Sequence, residues 1–201
     1  MPIKDNREYR TAMPFEIEKR AEGDEPSFFV EGYATTFNEP YVMYRWEGND
    51  YFEEIDAQAF DSADMSDVIF QYDHAGMVFA RNSNGSLELE TDEKGLKVRA
   101  NLGLTEAARG VYEAIKADLI KEMSFAFTVE EDKYNEKTRT RTITKINKLY
   151  DVSAVSIPAN PATTISARSY FDGVIEKEKQ ELLEAEKRKM QILRIKILTE
   201  V

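Results

Sequence analysis

Apolar and polar residues alternate with a period of two through most of the first 160 residues, a pattern typical of half-buried β-strands. The clearest strands are predicted at 27–37 (SFFVEGYATTF), 67–74 (DVIFQYDH) and 149–157 (LYDVSAVSI). The segment 67–74 opens with a nearly continuous apolar run, so we predict a strand that is buried on both faces. The alternation therefore predicts a fold built mainly from strands.

Two hairpins are predicted along the same part of the chain. Residues 86–102 contain two alternating runs joined around 92–95, where Gly95 is free to adopt a positive φ. A strand predicted at 122–129 is followed by a second hairpin, in which 138–146 (TRTRTITKI) carries threonine at alternate positions. That pattern predicts an exposed edge strand.

The period changes to that of a helix at two places. Residues 105–120 have Thr105 as a plausible N-cap and an apolar stripe of Ala108, Val111, Ile115 and Leu119. From about Tyr170 the chain becomes charged and helix-favouring, and 174–198 contains no glycine or proline. We predict a protruding helix that mediates self-association or partner contact, the alternative being a helix that lies on the rest of the fold. The elements together predict a strand-rich barrel or sandwich with an inserted helix and a helical tail.

Composition excludes several classes of function. The chain has 201 residues, enough for one domain with an appendage, and 27 Lys+Arg against 38 Asp+Glu give a formal charge of −11. This charge argues against nucleic acid as a partner, because phosphate binding needs clustered basic residues. With no cysteine, the chain can form neither a disulfide framework nor a thiolate zinc site. One histidine makes any other metal site poor, so we expect no metal and no cofactor.

The first 20 residues are charged throughout and lack the apolar core of a signal peptide. No run of about 18 apolar residues appears that could span a bilayer. We therefore expect a soluble, intracellular protein that does not bind membranes.

The single histidine, His74, narrows the search for serine-histidine chemistry to one base. His74 ends a predicted strand and is followed by a turn at 75–77, a position at which scaffolds present reactive groups. In the stretch KEMSFAF, Ser124 lies on the opposite face of its strand from the large residues Met123, Phe125, Phe127 and Val129. Ser124 is thus either an ordinary packing residue or a nucleophile on a surface that a peptide can approach.

A third group is needed to orient the imidazole. Asp73 is adjacent to His74, but neighbouring strand residues point to opposite faces, so Asp73 is badly placed. Asp151 lies on the same face of its strand as several apolar residues, where an ionised carboxylate needs a partner. That partner is either His74, in a catalytic arrangement, or one of Lys148 and Arg141, in a structural ion pair.

The motifs FFVEGYATTFNEPY, VIFQYDHAG, DEKGLKVRANL, IKEMSFAFTV and LYDVSAVSIPANPAT occur in this order between residues 28 and 168. In that order and spacing they resemble the prohead maturation proteases of tailed bacteriophages, a class related in fold to herpesvirus assemblins. The resemblance implies a mainly β, α+β fold: an assemblin-like closed or partly open β-barrel with an inserted helix and a C-terminal helical tail. Residues 1–169 would form the protease domain and 170–201 a tail for association, targeting or self-cleavage.

The resemblance also implies catalytic roles. The histidine of the pattern falls on His74, its serine nucleophile on Ser124, and its acid, usually glutamate, on Asp151. The oxyanion donors would be backbone N–H groups around Ala159 and Asn160. The chain also differs from the family pattern at Gln58, where the family tends to have glycine.

The implied activity is that of a serine endopeptidase of Ser-His-Asp type that acts inside the assembling procapsid in the host cytoplasm. Its substrates would be scaffold protein, major capsid protein or its own chain, and a homo-oligomer is expected. The competing hypothesis is a non-catalytic capsid assembly or scaffolding factor with the same fold. A weaker alternative is a generic β-barrel binding module.

Overall fold

The computed structural model describes residues 7–14, 16–17, 27–156 and 165–199. These residues form eleven strands, two α-helices and a short 3₁₀ turn at Asn82–Asn84. The strands are β1 (Glu8–Pro14), β2 (Glu16–Ile17), β3 (Phe29–Thr36), β4 (Tyr41–Trp46), β5 (Asn49–Ile55), β6 (Ile69–Tyr72), β7 (Ala75–Arg81), β8 (Leu87–Thr91), β9 (Gly95–Asn101), β10 (Glu122–Asn135) and β11 (Thr140–Val155). The helices are α1 (Glu106–Lys116) and α2 (Ile165–Thr199). The predicted mainly β, α+β class is confirmed.

The strands lie in two sheets that do not close into a barrel. One is seven-stranded, in the order β1-β10-β11-β5-β4, with β6 also paired to β11 and β7 paired to β6. The other has the order β2-β3-β9-β8. Of the expected closed or partly open barrel, the closed form is wrong for the described strands, because the larger sheet branches along β11 instead of curling back on itself. Strand β11 pairs in parallel with β5 near its start and with β6 near its end.

The hairpin predicted at 86–102 is confirmed as the antiparallel pair β8–β9. The backbone conformation expected for its glycine is wrong, since Gly95 does not adopt a positive φ. A Cβ atom at Gly95 would instead lie 1.9 Å from the carbonyl oxygen of Thr35 on β3. Glycine is required there by the close approach of two backbones.

Two other strand predictions need correction. Strand β6 is shorter than predicted and is not fully buried on both faces, because Phe70 is buried whereas its neighbours Ile69 and Gln71 are half-buried. Residues 138–146 are not an exposed edge, since β11 runs unbroken from Thr140 to Val155 and pairs on both sides. The alternating threonines misled the prediction because they lie beside a buried Arg141 in the centre of the sheet.

Helix α1 is confirmed, and the side chain of Thr105 accepts a hydrogen bond from the Ala108 backbone N–H. The helix ends at Lys116, and Asp118 adopts a positive φ of 61° just beyond it. Leu119, expected on the apolar stripe, therefore lies outside the helix and is 76% exposed.

Helix α2 is longer than predicted and begins before the expected domain boundary at 169/170. Near its start Phe171 and Ile175 are buried and pack with Met43 and Tyr51 of the larger sheet. From residue 179 to 192 its side chains are exposed. In the described part of the chain, no helix combines the length and apolarity that crossing a membrane requires.

The main core combines residues of both sheets with the buried face of α1. Within the larger sheet, a buried ion-pair cluster links β1 to β5 and β11. In it Arg10 of β1 binds Glu8 and Glu53, and Arg141 of β11 binds Glu8, Glu53 and Asp132. This cluster holds β1 beside β10, the strand that carries Ser124.

Candidate active site

Ser124 lies on β10 between two strands. In the antiparallel register, it is opposite Ser153 of β11 on one side and Thr11 of β1 on the other. Phe125 and Phe127 point to the opposite face, where their rings stack in the core with centroids 4.8 Å apart. Strand alternation thus separates the serine from the bulky residues, as the sequence predicts. Ser124 itself has no exposed surface.

His74 lies in a tight turn and not at the end of a strand. Strands β6 and β7 form a hairpin in which Tyr72 pairs with Ala75, so Asp73 and His74 are its two central residues. Both have positive φ, 49° and 54°, as the central residues of a type I′ turn do. The turn expected at 75–77 is therefore centred on 73–74 and contains His74.

Asp73 fastens this turn to the end of β11. Its backbone N–H donates to the Ala154 carbonyl at 2.9 Å. Its carboxylate accepts from the Ser156 backbone N–H and from the Ser156 hydroxyl, both at 2.8 Å. The Asp73 carboxylate thus contacts the end of β11, although the reason expected, opposite faces of one strand, does not apply within a turn. Its role in holding the turn was not predicted.

The imidazole joins the two other predicted site residues. Its Nδ1 is 2.5 Å from Asp151 Oδ1, and its Nε2 is 2.7 Å from Ser124 Oγ. An ionised carboxylate only accepts, so Nδ1–H donates to Asp151 and leaves Nε2 to accept from the serine hydroxyl. The side chains of His74 and Asp151 are 15% and 5% exposed, so both hydrogen bonds are largely shielded from water.

The two cations considered as ion-pair partners of Asp151 bind other carboxylates. Lys148 binds Asp64 at 2.7 Å, and Arg141 belongs to the buried cluster with β1. Asp151 accepts instead from His74 and from the hydroxyl of Ser153, which donates to Oδ1 at 2.7 Å. The other predicted residues, Ala159 and Asn160, lie outside the described residues.

Two residues near the site were missed by the sequence reasoning. Ser153 is two positions after Asp151, and the shared strand face could have revealed it. Tyr9 of β1 packs edge-on against the His74 ring, with centroids 4.8 Å apart. No local pattern signals Tyr9, because its contact depends on the long-range pairing of β1 with β10.

A carboxylate, an imidazole and a serine hydroxyl joined in series form the arrangement by which serine hydrolases activate a nucleophile. The family model of the caudovirus prohead serine proteases matches residues 15–180. The chain belongs to this family of bacteriophage proteases, as the resemblance of its motifs indicates. No curated protein and no solved structure matches the chain.

Proposed function

We propose that this chain is a serine endopeptidase of procapsid maturation in which Ser124 is the nucleophile, His74 the general base and Asp151 the orienting acid. The observation that carries the proposal is the continuous hydrogen-bonded series Ser124–His74–Asp151. Membership of the prohead protease family supports the same assignment.

The proposed reaction is acyl transfer in two steps. His74 Nε2 takes the hydroxyl proton as Ser124 Oγ attacks the scissile carbonyl, and the imidazolium then protonates the leaving amine. Water, deprotonated by His74, hydrolyses the acyl-enzyme and regenerates the serine. Throughout, Asp151 keeps the proton of the neutral imidazole on Nδ1 and stabilises the imidazolium by its negative charge.

The developing oxyanion needs preorganised N–H donors. We assign these to the backbone around Ala159 and Asn160, which follow β11 in sequence. The assignment rests on the family pattern, as does an assemblin-like relationship of the fold.

The burial of Ser124 bears on when the enzyme acts. With no exposed surface on this residue, a scissile carbonyl reaches Oγ only after a neighbouring group moves. The β1 strand, whose Tyr9 packs on the His74 ring, is one such neighbour. Activity is therefore proposed to depend on association with the assembling procapsid, which restricts cleavage to the shell interior.

The proposed substrates are scaffold protein, segments of the major capsid protein and the chain itself. The exposed part of α2 is proposed to recruit the enzyme to the shell or to a second copy. Leu182, Leu183, Met190 and Ile192 are each more than half exposed there, which suits a contact surface. Truncation after residue 180 removes this part but keeps Phe171 and Ile175, and we expect it to lower incorporation into procapsids. Normal incorporation would contradict a recruiting role.

The test is cleavage in assembling mixtures. The chain is combined with the capsid and scaffold proteins of its phage, and intact masses are followed over time beside Ser124→Ala. Ser83→Ala, an exposed serine at the turn after β7, is the matched control. Trimming by the parent and the control but not by Ser124→Ala supports the proposal. Equal trimming by all three, or by none, favours the non-catalytic scaffolding factor.

A further inference from the structure

We infer that Ser153 is a positioning residue of the active site, which fixes the carboxylate of Asp151 for its contact with His74. The inference rests on the proposed protease function and extends it to a fourth residue. Ser153 does not touch a substrate in this role, since it acts through Asp151.

The geometry is specific to one carboxylate oxygen. The Ser153 hydroxyl donates to Asp151 Oδ1 at 2.7 Å, and the same Oδ1 accepts from His74 Nδ1 at 2.5 Å. A second donor on this oxygen fixes the rotation of the carboxylate about its Cβ–Cγ bond. The oxygen that faces the imidazole is therefore held in place before the reaction begins.

Burial makes this hydrogen bond consequential. Ser153 is 0% exposed and Asp151 is 3% exposed, so bulk water does not reach either residue. A buried ionised carboxylate depends on protein donors, and hydrogen bonds to charged groups are stronger than those between neutral groups. Removal of the hydroxyl leaves His74 as the donor to Oδ1.

The backbone that presents Ser153 is held on both sides. In β11, Ser153 pairs with Ser124 of β10 and with Gln71 of β6. Asp151 pairs with Ala126 and Ile69 of the same two strands. Because residues two apart on a strand point to the same face, the ladder itself sets the distance from hydroxyl to carboxylate.

The single histidine allows a direct spectroscopic test. In a Ser124→Ala background, which prevents self-cleavage, the low-field ¹H resonance of His74 Nδ1–H needs no assignment among other histidines. We expect Ser153→Ala to shift or broaden this resonance. Ser86→Ala is the matched control, because Ser86 is also buried but its hydroxyl interacts with Arg81 and Asn84. An unchanged resonance in Ser153→Ala would overturn the inference.

Kinetics in the otherwise unmodified chain provide the second readout. Loss of one hydrogen bond to a charged group predicts a fall in kcat of about tenfold for Ser153→Ala with KM unchanged. Ser153→Cys, which keeps the shape but donates weakly, is expected to lie between the parent and the alanine variant. A parental kcat in both variants would contradict the role.

The outcomes also separate this inference from the proposed function. If the parent shows no cleavage, yet the His74 resonance still responds to Ser153→Ala, the protease assignment fails and the positioning contact stands. If both Ser153 variants unfold while Ser86→Ala remains folded, Ser153 contributes to stability and the inference is overturned.

Discussion

Replacement of Asp151 by asparagine tests the electrostatic part of the mechanism while almost preserving side-chain shape. The carboxylate and the imidazole contact at 2.5 Å, and their side chains are 5% and 15% exposed. In the proposed mechanism, asparagine removes the negative charge that stabilises the imidazolium. Its amide can also donate to Nδ1, which moves the imidazole proton to Nε2 and blocks proton transfer from Ser124.

The size of the effect follows from Coulomb's law. For charge centres about 4 Å apart and an effective dielectric constant of about 20, the interaction is about 4 kcal/mol. Each 1.36 kcal/mol corresponds to a factor of ten in rate, so Asp151→Asn should lower kcat by about 10³.

The assay is single-turnover cleavage of capsid or scaffold substrate by the parent and by Asp151→Asn. Asp67→Asn is the matched control, since Asp67 forms an exposed ion pair with Arg81 outside the site. We expect a large fall in the rate constant for Asp151→Asn and a parental rate for Asp67→Asn. A fall of less than tenfold in a folded Asp151→Asn variant would refute the assigned role of the Asp151 charge.

Three further predictions concern the scaffold around the site. Asp73→Ala removes the hydrogen bonds to Ser156 and should lower kcat by about tenfold in the cleavage assay, because the turn that carries His74 loses its attachment. Burial acts to raise the pKa of Glu53, but the charges of Arg10 and Arg141 and the hydrogen bonds from Arg10 and Tyr41 together outweigh burial and hold that pKa below its usual value. This stabilisation is present above the ordinary pKa of 4.5 and is lost as the pH falls through the lowered pKa. Glu53→Gln should therefore cost about 3–5 kcal/mol in the free energy of unfolding at neutral pH and flatten its decline in acid, as chemical denaturation would show. Gly95→Ala should destabilise the fold by about 1–3 kcal/mol, because its Cβ would meet the β3 backbone.

Each of these predictions has a control in the same chain. Asp73→Asn keeps an acceptor and tolerates positive φ, so it should retain more activity than Asp73→Ala, and equal losses would contradict the attachment role. Glu88 forms an exposed ion pair, so Glu88→Gln should leave the fall of the unfolding free energy in acid unchanged. An effect equal to that of Glu53→Gln would rule out the buried cluster as the cause. Gly110 in α1 has no atom within 4 Å of an added Cβ, so Gly110→Ala should not destabilise. Equal free energies of unfolding for the two glycine variants would contradict the close-approach explanation.

Local patterns predict strands at β3, β6 and β8 to β11, helix α1 and the candidates Ser124 and His74. The patterns left the partner of Asp151 open, and its place beside His74 came from the family resemblance. Alternation places Ser124 away from the bulky face of β10, and the scarcity of histidine singles out His74. The fold differs from the prediction where segments distant in sequence determine which strands pair. Strand β11 is central because β5 and β6 both pair with it, and no pattern within 138–146 encodes those partners.

The site departs from prediction for the same reason. The contact of Tyr9 with His74 depends on the pairing of β1 with β10 and on the buried cluster around Arg10. Asp73 and Ser156 meet only because the β6–β7 turn lies at the end of β11. Ser153 is the exception, since its two-residue spacing from Asp151 could have been interpreted from the sequence.

Covalent labelling of Ser124 tests most directly whether this residue is the nucleophile. The parent chain is treated with a fluorophosphonate in the presence of assembling capsid protein, and the adduct is located by peptide mass mapping. His74→Ala and Ser124→Ala are treated in parallel, with Ser83→Ala as the control. We expect one adduct, on Ser124, in the parent and the control, and no adduct in the other two variants. Absence of an adduct on Ser124 in the parent, or a Ser124 adduct that persists in His74→Ala, would contradict a Ser124 nucleophile activated by His74.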